Sequence, residues 1–454
     1  MIAVSENTAG GAQKFLGLAG LAAAVLLTAC TEPDVILPGK REDIRSVLQE
    51  PDPFAEETAA SRQNFSRPIS LPGSRVNASW PQATGTPTYR VSHAALSATP
   101  RLIWSADIGD GDSRRQRITA DPVVEGGRIF TLDAGTIVTA TSTSGQTLWT
   151  RDIRPAGERA GFATGGGLAV NNGTLYVSQG YGVLVALDAT TGGERWRQKL
   201  DASGSGTPTV FGDLVYLTAG DDTGWAVRTA DGRVEWQIGS VNDIDNVLGA
   251  PAPAIGGDLA IFGFGSGDVQ AVFRRGGLPR WDAAVLGERF GRASGEVGDV
   301  TGSPVIVGNR VYVGNQSGRI VALNLGSGER IWTAREGAVG PVFPAGDSLF
   351  VISDINELLR LNASDGSRVW GVELPNFTRE RPRKRFEVYA HYGPILAGNR
   401  IVVSGNDGVL RFFDPRDGRQ VGAVEVPGGA TTAPVVAGGT LYVVSASGQL
   451  LAYR

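Results

Sequence analysis

The stretch Leu184–Leu200, LVALDATTGGERWRQKL, returns in the same shape as IVALNLGSGERIWTARE at Ile320–Glu336. Each copy has an alternating apolar run, an Asp or Asn, a Gly-containing turn and then a Trp. Repetition on this scale is typical of folds built from one structural unit. A degenerate copy near the C-terminus has Gly422 at the Trp position. The Trp residues of the repeat, 38 to 51 residues apart, are Trp149, Trp196, Trp236, Trp281, Trp332 and Trp370.

A second pattern precedes each copy and occurs eight times. It has a small residue or Pro, two or three apolar residues, a Gly turn and a β-branched or aromatic run, as in GSPVIVGNRVYVG at Gly302–Gly314. Alternation with a period of two residues predicts strands rather than helices. Four short strands in a unit of roughly 40–50 residues are typical of a propeller blade. The sequence therefore predicts an all-β fold, an eight-bladed β-propeller of four-stranded blades.

The two ends of the repeat array predict how the ring closes. The last unit stops at Leu450–Arg454, before its Trp-bearing strand. A Trp-bearing segment without a unit of its own, RLIWSADI at Arg101–Ile108, lies ahead of the first unit. We predict that this N-terminal strand completes the last blade, so that no sheet edge stays open between the chain ends. The Trp rings are predicted to pack between blades.

Composition and charge limit the class of protein. The chain has 454 residues, 64 of them Gly, which suits a fold with many tight turns. Its formal net charge of −4 predicts no nucleic-acid partner. We divide the chain into a lipoprotein signal peptide (1–29), a lipidated tether with an N-terminal extension (30–95) and the propeller (96–454). The segment around Trp80 is expected to pack on the outside of the ring.

The single cysteine, Cys30, follows an apolar run, Phe15–Leu27, that is short for a transmembrane helix and suits a signal peptide. The residues LTAC at Leu27–Cys30 resemble a bacterial lipobox. This resemblance implies that Cys30 is lipidated and becomes the first residue of the mature protein. Thr31, in place of an Asp, implies the periplasmic face of the outer membrane. The alternative is an ordinary signal peptide followed by an unpaired thiol.

No catalytic or metal-binding set stands out. The two histidines, His93 and His391, occupy different parts of the repeat and are interpreted as structural. No GxSxG motif and no paired His/Cys zinc spacing occurs. Acidic turns such as DATTGG lack the ligand spacing of a calcium loop and suit Asx turns. We predict no catalytic residue, no bound metal and no cofactor.

The repeat resembles that of pyrroloquinoline-quinone propellers, and VALDATTGGERW at Val185–Trp196 matches it closely. That resemblance implies one alternative, a quinoprotein dehydrogenase that would bind the quinone and calcium. The alcohol dehydrogenases of that family use two adjacent cysteines and long inserted loops, and this chain has neither. A fold alone does not assign a function.

From Cys30 to Arg454, the order of lipobox, tether and eight blades resembles the BamB family. This family is the outer-membrane lipoprotein subunit of the β-barrel assembly (BAM) machinery. The resemblance implies a non-catalytic scaffold that docks on the periplasmic domains of BamA, beside other BAM subunits, and assists insertion of outer-membrane proteins. Unfolded clients are a further candidate partner. The remaining alternative is a scaffold of another envelope complex.

The resemblance also implies a docking site on two neighbouring loops. Asp299 matches the first acidic position of one family loop, and Glu296 offers a nearby carboxylate. On the other loop, Ile244, Val247 and Leu248 supply the apolar part. We expect Asp299→Arg to weaken recovery of BamA while the fold stays intact. The alternative is that the three apolar residues only cover the end of the channel.

A basic run lies in the longest insertion between blades, Asn376–Pro394. Its five basic residues are Arg379, Arg381, Arg383, Lys384 and Arg385. Such a run is interpreted as a solvated loop. The functional alternative is contact with an acidic partner surface or with lipid head groups.

Overall fold

The computed structural model describes residues 63–83, 85–88, 93–202, 206–240, 249–287, 298–379 and 381–454. Cys30 and the predicted signal peptide lie outside these residues. Within them the chain forms eight four-stranded antiparallel sheets, and the predicted eight-bladed β-propeller is confirmed. In this part of the chain, no helix has the length and apolar character that crossing a membrane requires.

The strands are numbered in chain order, and blade 1 begins at β2. Blade 8 takes β1 (Leu102–Asp107) as its outermost strand. Blades 1 and 2 hold β2 (Val123–Glu125), β3 (Arg128–Leu132), β4 (Ile137–Ser142), β5 (Thr147–Asp152), β6 (Gly166–Asn171), β7 (Thr174–Gln179), β8 (Val183–Asp188) and β9 (Glu194–Lys199). Blades 3 and 4 hold β10 (Thr209–Phe211), β11 (Leu214–Thr218), β12 (Thr223–Arg228), β13 (Val234–Gly239), β14 (Ala254–Gly256), β15 (Leu259–Gly263), β16 (Asp268–Phe273) and β17 (Pro279–Ala284). Blades 5 and 6 hold β18 (Val305–Val307), β19 (Arg310–Asn315), β20 (Arg319–Asn324), β21 (Arg330–Ala334), β22 (Phe343–Ala345), β23 (Ser348–Ile352), β24 (Glu357–Asn362) and β25 (Arg368–Glu373). Blade 7 and the rest of blade 8 hold β26 (His391–Ala397), β27 (Arg400–Gly405), β28 (Val409–Phe413), β29 (Gln420–Glu425), β30 (Val435–Ala437), β31 (Thr440–Ser445) and β32 (Gln449–Tyr453), and a short 3-10 helix spans Pro382–Lys384.

Burial shows the direction of each blade. First strands such as β2 are buried and contact the first strand of the next blade, whereas fourth strands such as β5 are mostly exposed. The first strands therefore face the centre of the ring. Apolar faces of neighbouring blades pack together, for example Phe130 and Val138 of blade 1 with Leu175 and Val185 of blade 2. Each such fully buried side chain contributes about 1.5–3 kcal/mol to stability.

The N-terminal strand closes the ring as predicted. β1 pairs antiparallel with β32, and Ser105 lies opposite Leu451 in the register. The sheet order of blade 8 is β1, β32, β31 and β30. Strands from before the first repeat and from the last repeat thus share one blade, and opening the ring requires breaking the pairing of β1 with β32.

The Trp of each fourth strand packs on a turn of the next blade. The Trp196 indole N–H donates to the Thr229 carbonyl at 2.8 Å, and its ring covers Gly232, whose φ is +74°. A Cβ on Gly232 would lie 2.6 Å from the ring, so this turn requires glycine on steric as well as conformational grounds. The predicted packing of Trp between blades is confirmed. The same contact is made by Trp104, Trp149, Trp236, Trp281, Trp332 and Trp370.

Gly422 of β29 stands where this Trp is missing. The next blade is blade 8, which has no turn between its third and fourth strands because β32 and β1 are not consecutive in the chain. A Trp at position 422 would have no such turn to cover. Ring closure therefore explains the degenerate copy of the repeat.

An N-terminal segment, residues 63–98 without 84 and 89–92, is called the strap below; it starts at the outer strand of blade 6 and bonds to the inner strands from Asn77 onward. The N–H and C=O groups of Trp80 both bond to Val124 of β2, at 2.8 Å each. The side-chain amide of Gln82 forms the same two bonds with Val210 of β10, at 3.0 Å each. These bonds satisfy backbone groups that the first strands would otherwise leave unpaired at the channel. Equivalent residues of other first strands are bonded by Asn77 (Val436), Pro81 (Val170), Pro87 (Ile255), Thr88 (Ile306) and Ala94 (Leu396).

The strap follows the order of the blades and then meets its own beginning. The Arg75 N–H donates to the His93 carbonyl at 3.1 Å, and the Arg75 carbonyl accepts from the Ala95 N–H at 2.8 Å. His93 joins the crossing to blade 7, because its Nδ1 bonds to the Pro72 carbonyl at 2.6 Å and its Nε2 accepts from the Asn399 N–H at 3.0 Å. In blade 6 the equivalent first-strand residue is Pro344, which has no N–H to offer.

The expectation that the segment around Trp80 packs outside the ring is wrong. Trp80 is 1% exposed and pairs with an inner strand. Before it enters the channel, the strap is held by the buried Arg360, whose guanidinium donates to the carbonyls of Arg67 at 2.6 Å and Pro68 at 3.2 Å. The strap is therefore part of the folded ring.

Candidate functional site

The loops that join one blade to the next all lie at one end of the ring, called the loop end below. A cavity of about 710 Å³ opens at this end. It is lined by turns and blade-to-blade loops of blades 1 to 6. The strap bonds near the opposite ends of the first strands, so the two ends of the ring differ. Among the lining residues are Arg115, Glu158, Phe162, Tyr181, Asp222, Asp299 and Val339.

Asp299 is the predicted docking residue that the structure describes. It lines the cavity but is only 4% exposed. Its neighbours are held by the ring: the Val300 N–H donates to the Phe264 carbonyl at 3.2 Å, and the Thr301 hydroxyl donates to the Ala338 carbonyl at 2.6 Å. An arginine at position 299 would be a buried charge of opposite sign, so burial argues against the expectation that Asp299→Arg leaves the fold intact.

A second buried carboxylate, Asp222, lies on the cavity wall and is 3% exposed. Its Oδ1 accepts the Gly265 N–H at 2.9 Å, and its carbonyl accepts the Ser240 N–H at 3.1 Å. The first bond connects blade 3 to blade 4, and the second holds the chain directly after β13. Asp222 therefore fixes the start of the loop on which the apolar docking residues were predicted.

The other predicted docking residues, Ile244, Val247, Leu248 and Glu296, lie outside the described residues. Their loops begin and end at the loop end of blades 3, 4 and 5, next to the cavity. The proposed docking role of these residues remains a prediction.

Three exposed apolar side chains at the loop end were missed by the sequence reasoning. Phe162 is 75% exposed, Leu286 61% and Val339 41%. Phe162 and Val339 line the cavity, and Leu286 approaches the backbone at Gly298, beside Asp299. Each stands in a blade-to-blade loop, outside the alternating frame. The sequence offered one signal for such exposed residues: an isolated apolar residue in a loop otherwise made of Gly and polar residues.

The histidines and the acidic turns have structural roles, as predicted. His391 is buried and bonds through Nε2 to the Pro375 carbonyl at 2.7 Å, while His93 joins the strap to blade 7. In the turn DATTGG, Asp188 accepts N–H bonds from residues 190 and 191, and its bond to the Arg195 guanidinium lowers its pKa to about 2. Within the described ranges, no three His, Cys, Asp or Glu side chains are grouped to hold a metal ion.

Sequence comparison identifies the family of the chain. A family model described as "Outer membrane protein assembly factor BamB" matches residues 133–372 and 379–454. A protein of that name from Shewanella oneidensis is 27% identical over 368 residues, covering 78% of this chain and 90% of the relative. Its counterpart from Escherichia coli (strain K12) is 24% identical over 365 residues, covering 78% and 88%.

Solved structures share the fold. The crystal structure of BamB from Moraxella catarrhalis aligns with a TM-score of 0.64 at 20% identity, covering 78% of this chain and all of that one. A quinohemoprotein alcohol dehydrogenase from Comamonas testosteroni aligns with a TM-score of 0.60 at 15% identity, covering 83% and 80%. Likeness at these identities establishes the propeller alone.

Proposed function

The chain belongs to the BamB family of outer membrane protein assembly factors, and on this premise we propose that it is a non-catalytic scaffold of the BAM machinery. In this role it docks on the periplasmic domains of BamA, beside other subunits of the complex, and assists insertion of outer-membrane proteins. Their unfolded chains are further candidate partners. A lipid on Cys30 holds the protein at the periplasmic face of the outer membrane.

The observation that carries the docking site is the apolar rim of the loop end. Phe162, Leu286 and Val339 are exposed in loops whose ends are fixed by the ring. Apolar side chains on a rigid surface suit a protein partner. Binding removes these side chains from water, and the rigid surface loses little conformational entropy when it binds. The strap occupies the other end of the inner strands and leaves the loop end as the accessible one.

Co-purification of BamA with the membrane-anchored chain tests the docking site. Leu286→Glu places a charge on the rim and should lower recovered BamA by about tenfold or more. Leu278→Glu is the matched control, because Leu278 is 67% exposed in blade 4 but lies in the turn between β16 and β17, at the opposite end. Equal recovery for the two variants would refute docking at the loop end. Asp299→Asn is the informative variant at that position, since it keeps the size of the buried side chain.

A separate experiment tests the non-catalytic role and the complex. Addition of pyrroloquinoline quinone and calcium to the purified chain should produce no dye reduction with alcohols, and alcohol-dependent reduction would support the dehydrogenase instead. Mass spectrometry of proteins recovered with the chain should identify BAM subunits. Recovery of a different envelope complex would replace the BAM assignment.

A further inference from the structure

A hairpin between blades 6 and 7 stands apart from the repeat. It comprises residues 376–379 and 381–389 and is called the finger below. Its stem is a β-bridge between Phe377 and Val388, with a bond from the Thr378 N–H to the Glu387 carbonyl at 3.0 Å. The Arg385 guanidinium lies over the Phe377 ring, 5.1 Å from its centroid. A closed stem of this kind presents its tip away from the ring.

The tip of the finger is both basic and apolar. Between residues 376 and 389 the chain has five basic and two acidic residues, a net charge of +3 in a chain of net charge −4. Phe386 is 78% exposed, the highest value among the large apolar side chains of the described residues, and Val388 is 51% exposed. The exposed basic side chains are Arg379, Arg381, Arg383, Lys384 and Arg385.

An exposed Phe within a cluster of Lys and Arg is the chemistry of an anionic lipid surface. The cations are attracted to phosphate head groups, and the ring enters the boundary between head groups and acyl chains. A protein surface that is both acidic and apolar could make similar contacts; the closeness of the chain's first described residues to the finger favours the lipid surface.

The first described residues of the chain lie close to the base of the finger. Asn64 forms two bonds with the backbone of Gly371 at 2.9 Å each, and the Phe65 N–H donates to the Val369 carbonyl at 2.9 Å. Residues 64 and 65 therefore run antiparallel to β25. Followed back toward the N-terminus, the chain moves along β25 toward Glu373 and the base of the finger. The first described residues of the chain thus lie at the same edge of blade 6 from which the finger leaves the ring.

We propose that the finger binds an anionic phospholipid surface and acts as a second membrane contact for the lipid-anchored chain, a role that rests on the lipid anchor of the proposed function. The lipid on Cys30 is one attachment point and by itself allows many orientations of the ring. The finger is a second contact, which restricts these orientations and holds the loop end toward the membrane.

Vesicle sedimentation of the full chain tests this without the acyl anchor. The mature chain with Cys30→Ser, made without the predicted signal peptide 1–29, is mixed with vesicles of phosphatidylethanolamine and phosphatidylglycerol, or of phosphatidylcholine alone. Binding is expected on the anionic vesicles and should be lost on the neutral ones. Replacing Arg381, Arg383, Lys384 and Arg385 by Gln should lower the bound fraction about tenfold or more, because each basic residue near an anionic surface adds to the attraction.

Two matched variants separate the possible causes. Replacing four exposed arginines on the opposite end and outer strands of blades 3 to 5 by Gln should leave binding unchanged; these are Arg233, Arg275, Arg280 and Arg330. Phe386→Ser keeps the charge and should weaken binding severalfold. The variant with Arg381, Arg383, Lys384 and Arg385 replaced is called the finger variant. Equal loss of vesicle binding in the two four-residue variants would mean general charge attraction and would overturn the proposal. Full vesicle binding by the finger variant would overturn it as well.

The BamA co-purification assay distinguishes this proposal from the docking site. The finger variant, in the acylated chain, should recover BamA normally. Loss of BamA with unchanged vesicle binding would make the finger a protein contact and would overturn the lipid role. Loss of vesicle binding with normal BamA recovery supports it, and neither result depends on the rim residue Leu286.

Discussion

Trp104 of the first strand lies opposite Ala452 of the last strand in the register of blade 8. This pairing joins the two ends of the propeller, and the Trp104 ring also packs against Tyr442 at 5.9 Å between centroids. Its indole N–H donates to the Thr143 carbonyl of blade 1 at 3.1 Å. One side chain thus packs within blade 8 and bonds to the adjacent blade 1, and the stability of the ring should depend on it.

Trp104→Ala should lower the free energy of unfolding by about 2–4 kcal/mol, because it removes a large side chain from a contact between blades. Urea denaturation followed by circular dichroism measures this. Ile103→Ala on the same strand is the control: Ile103 is 47% exposed, and its loss should cost within about 0.5 kcal/mol. Similar values for the two variants would contradict the role of Trp104 in closure.

Gly232→Ala should destabilise the ring more than Gly173→Ala. Both glycines have positive φ, +74° and +71°, so both substitutions impose similar backbone strain. A Cβ at Gly232 meets the Trp196 ring at 2.6 Å, whereas nothing lies within 4 Å at Gly173. The difference in unfolding free energy isolates the contact with Trp and should be about 1–3 kcal/mol. Equal losses would show that strain alone governs these turns.

Arg360→Met should release the strap. The substitution leaves the Arg67 and Pro68 carbonyls without their buried donor, at a cost of about 1–3 kcal/mol for each orphaned group. Limited trypsin digestion should then cleave after Arg75 faster than in the unmodified chain, whereas the Arg67–Pro68 bond resists trypsin in both. Arg416→Met is the control, because that side chain is 63% exposed and pairs with Asp414. Unchanged cleavage in Arg360→Met would contradict the anchoring role.

Acid should destabilise the protein through His391. Burial lowers the pKa of its imidazole from the ordinary 6.5, with a further lowering contribution from Arg411, while Asp407 and the Pro375 carbonyl oppose it. The folded state therefore binds a proton less readily than the unfolded state. Stability from this group is fully present above pH 6.5 and is lost as pH falls from there toward the lowered folded value.

His391→Gln keeps a donor for the Pro375 carbonyl but cannot titrate. The loss of unfolding free energy between pH 7.5 and pH 5.5 should therefore be smaller in this variant than in the unmodified chain, by up to about 1.4 kcal/mol for each unit by which the pKa is lowered. Thermal unfolding across this range measures the difference. An identical pH dependence in both proteins would exclude His391 as a source.

The docking site was only partly within reach of the sequence. The resemblance to the BamB family implied its place after β13 and β17, and the repeat frame predicted that these two segments are loops; the docking role itself stays a prediction. The exposure of Asp299 could not be predicted, because burial depends on how the loops of blades 4 and 5 fold over the cavity. Phe162 and Leu286 were missed for a similar reason: whether an apolar loop residue finds a core is decided by the surrounding loops.

The sequence by itself determined the number of blades, their strands and the closing pair, since a period-two pattern and its repetition depend on side chains in each unit. The unfinished unit at Leu450–Arg454 and the Trp-bearing segment at Arg101–Ile108 predicted the closure. Only the tertiary structure decided the course of the strap. The described residues of the strap bond to the first strand of each blade except blade 6, where Pro344 stands. Those contacts use mainly backbone N–H and C=O groups, which every residue carries, so side-chain patterns cannot encode the path. Their geometry exists only once eight first strands face one channel.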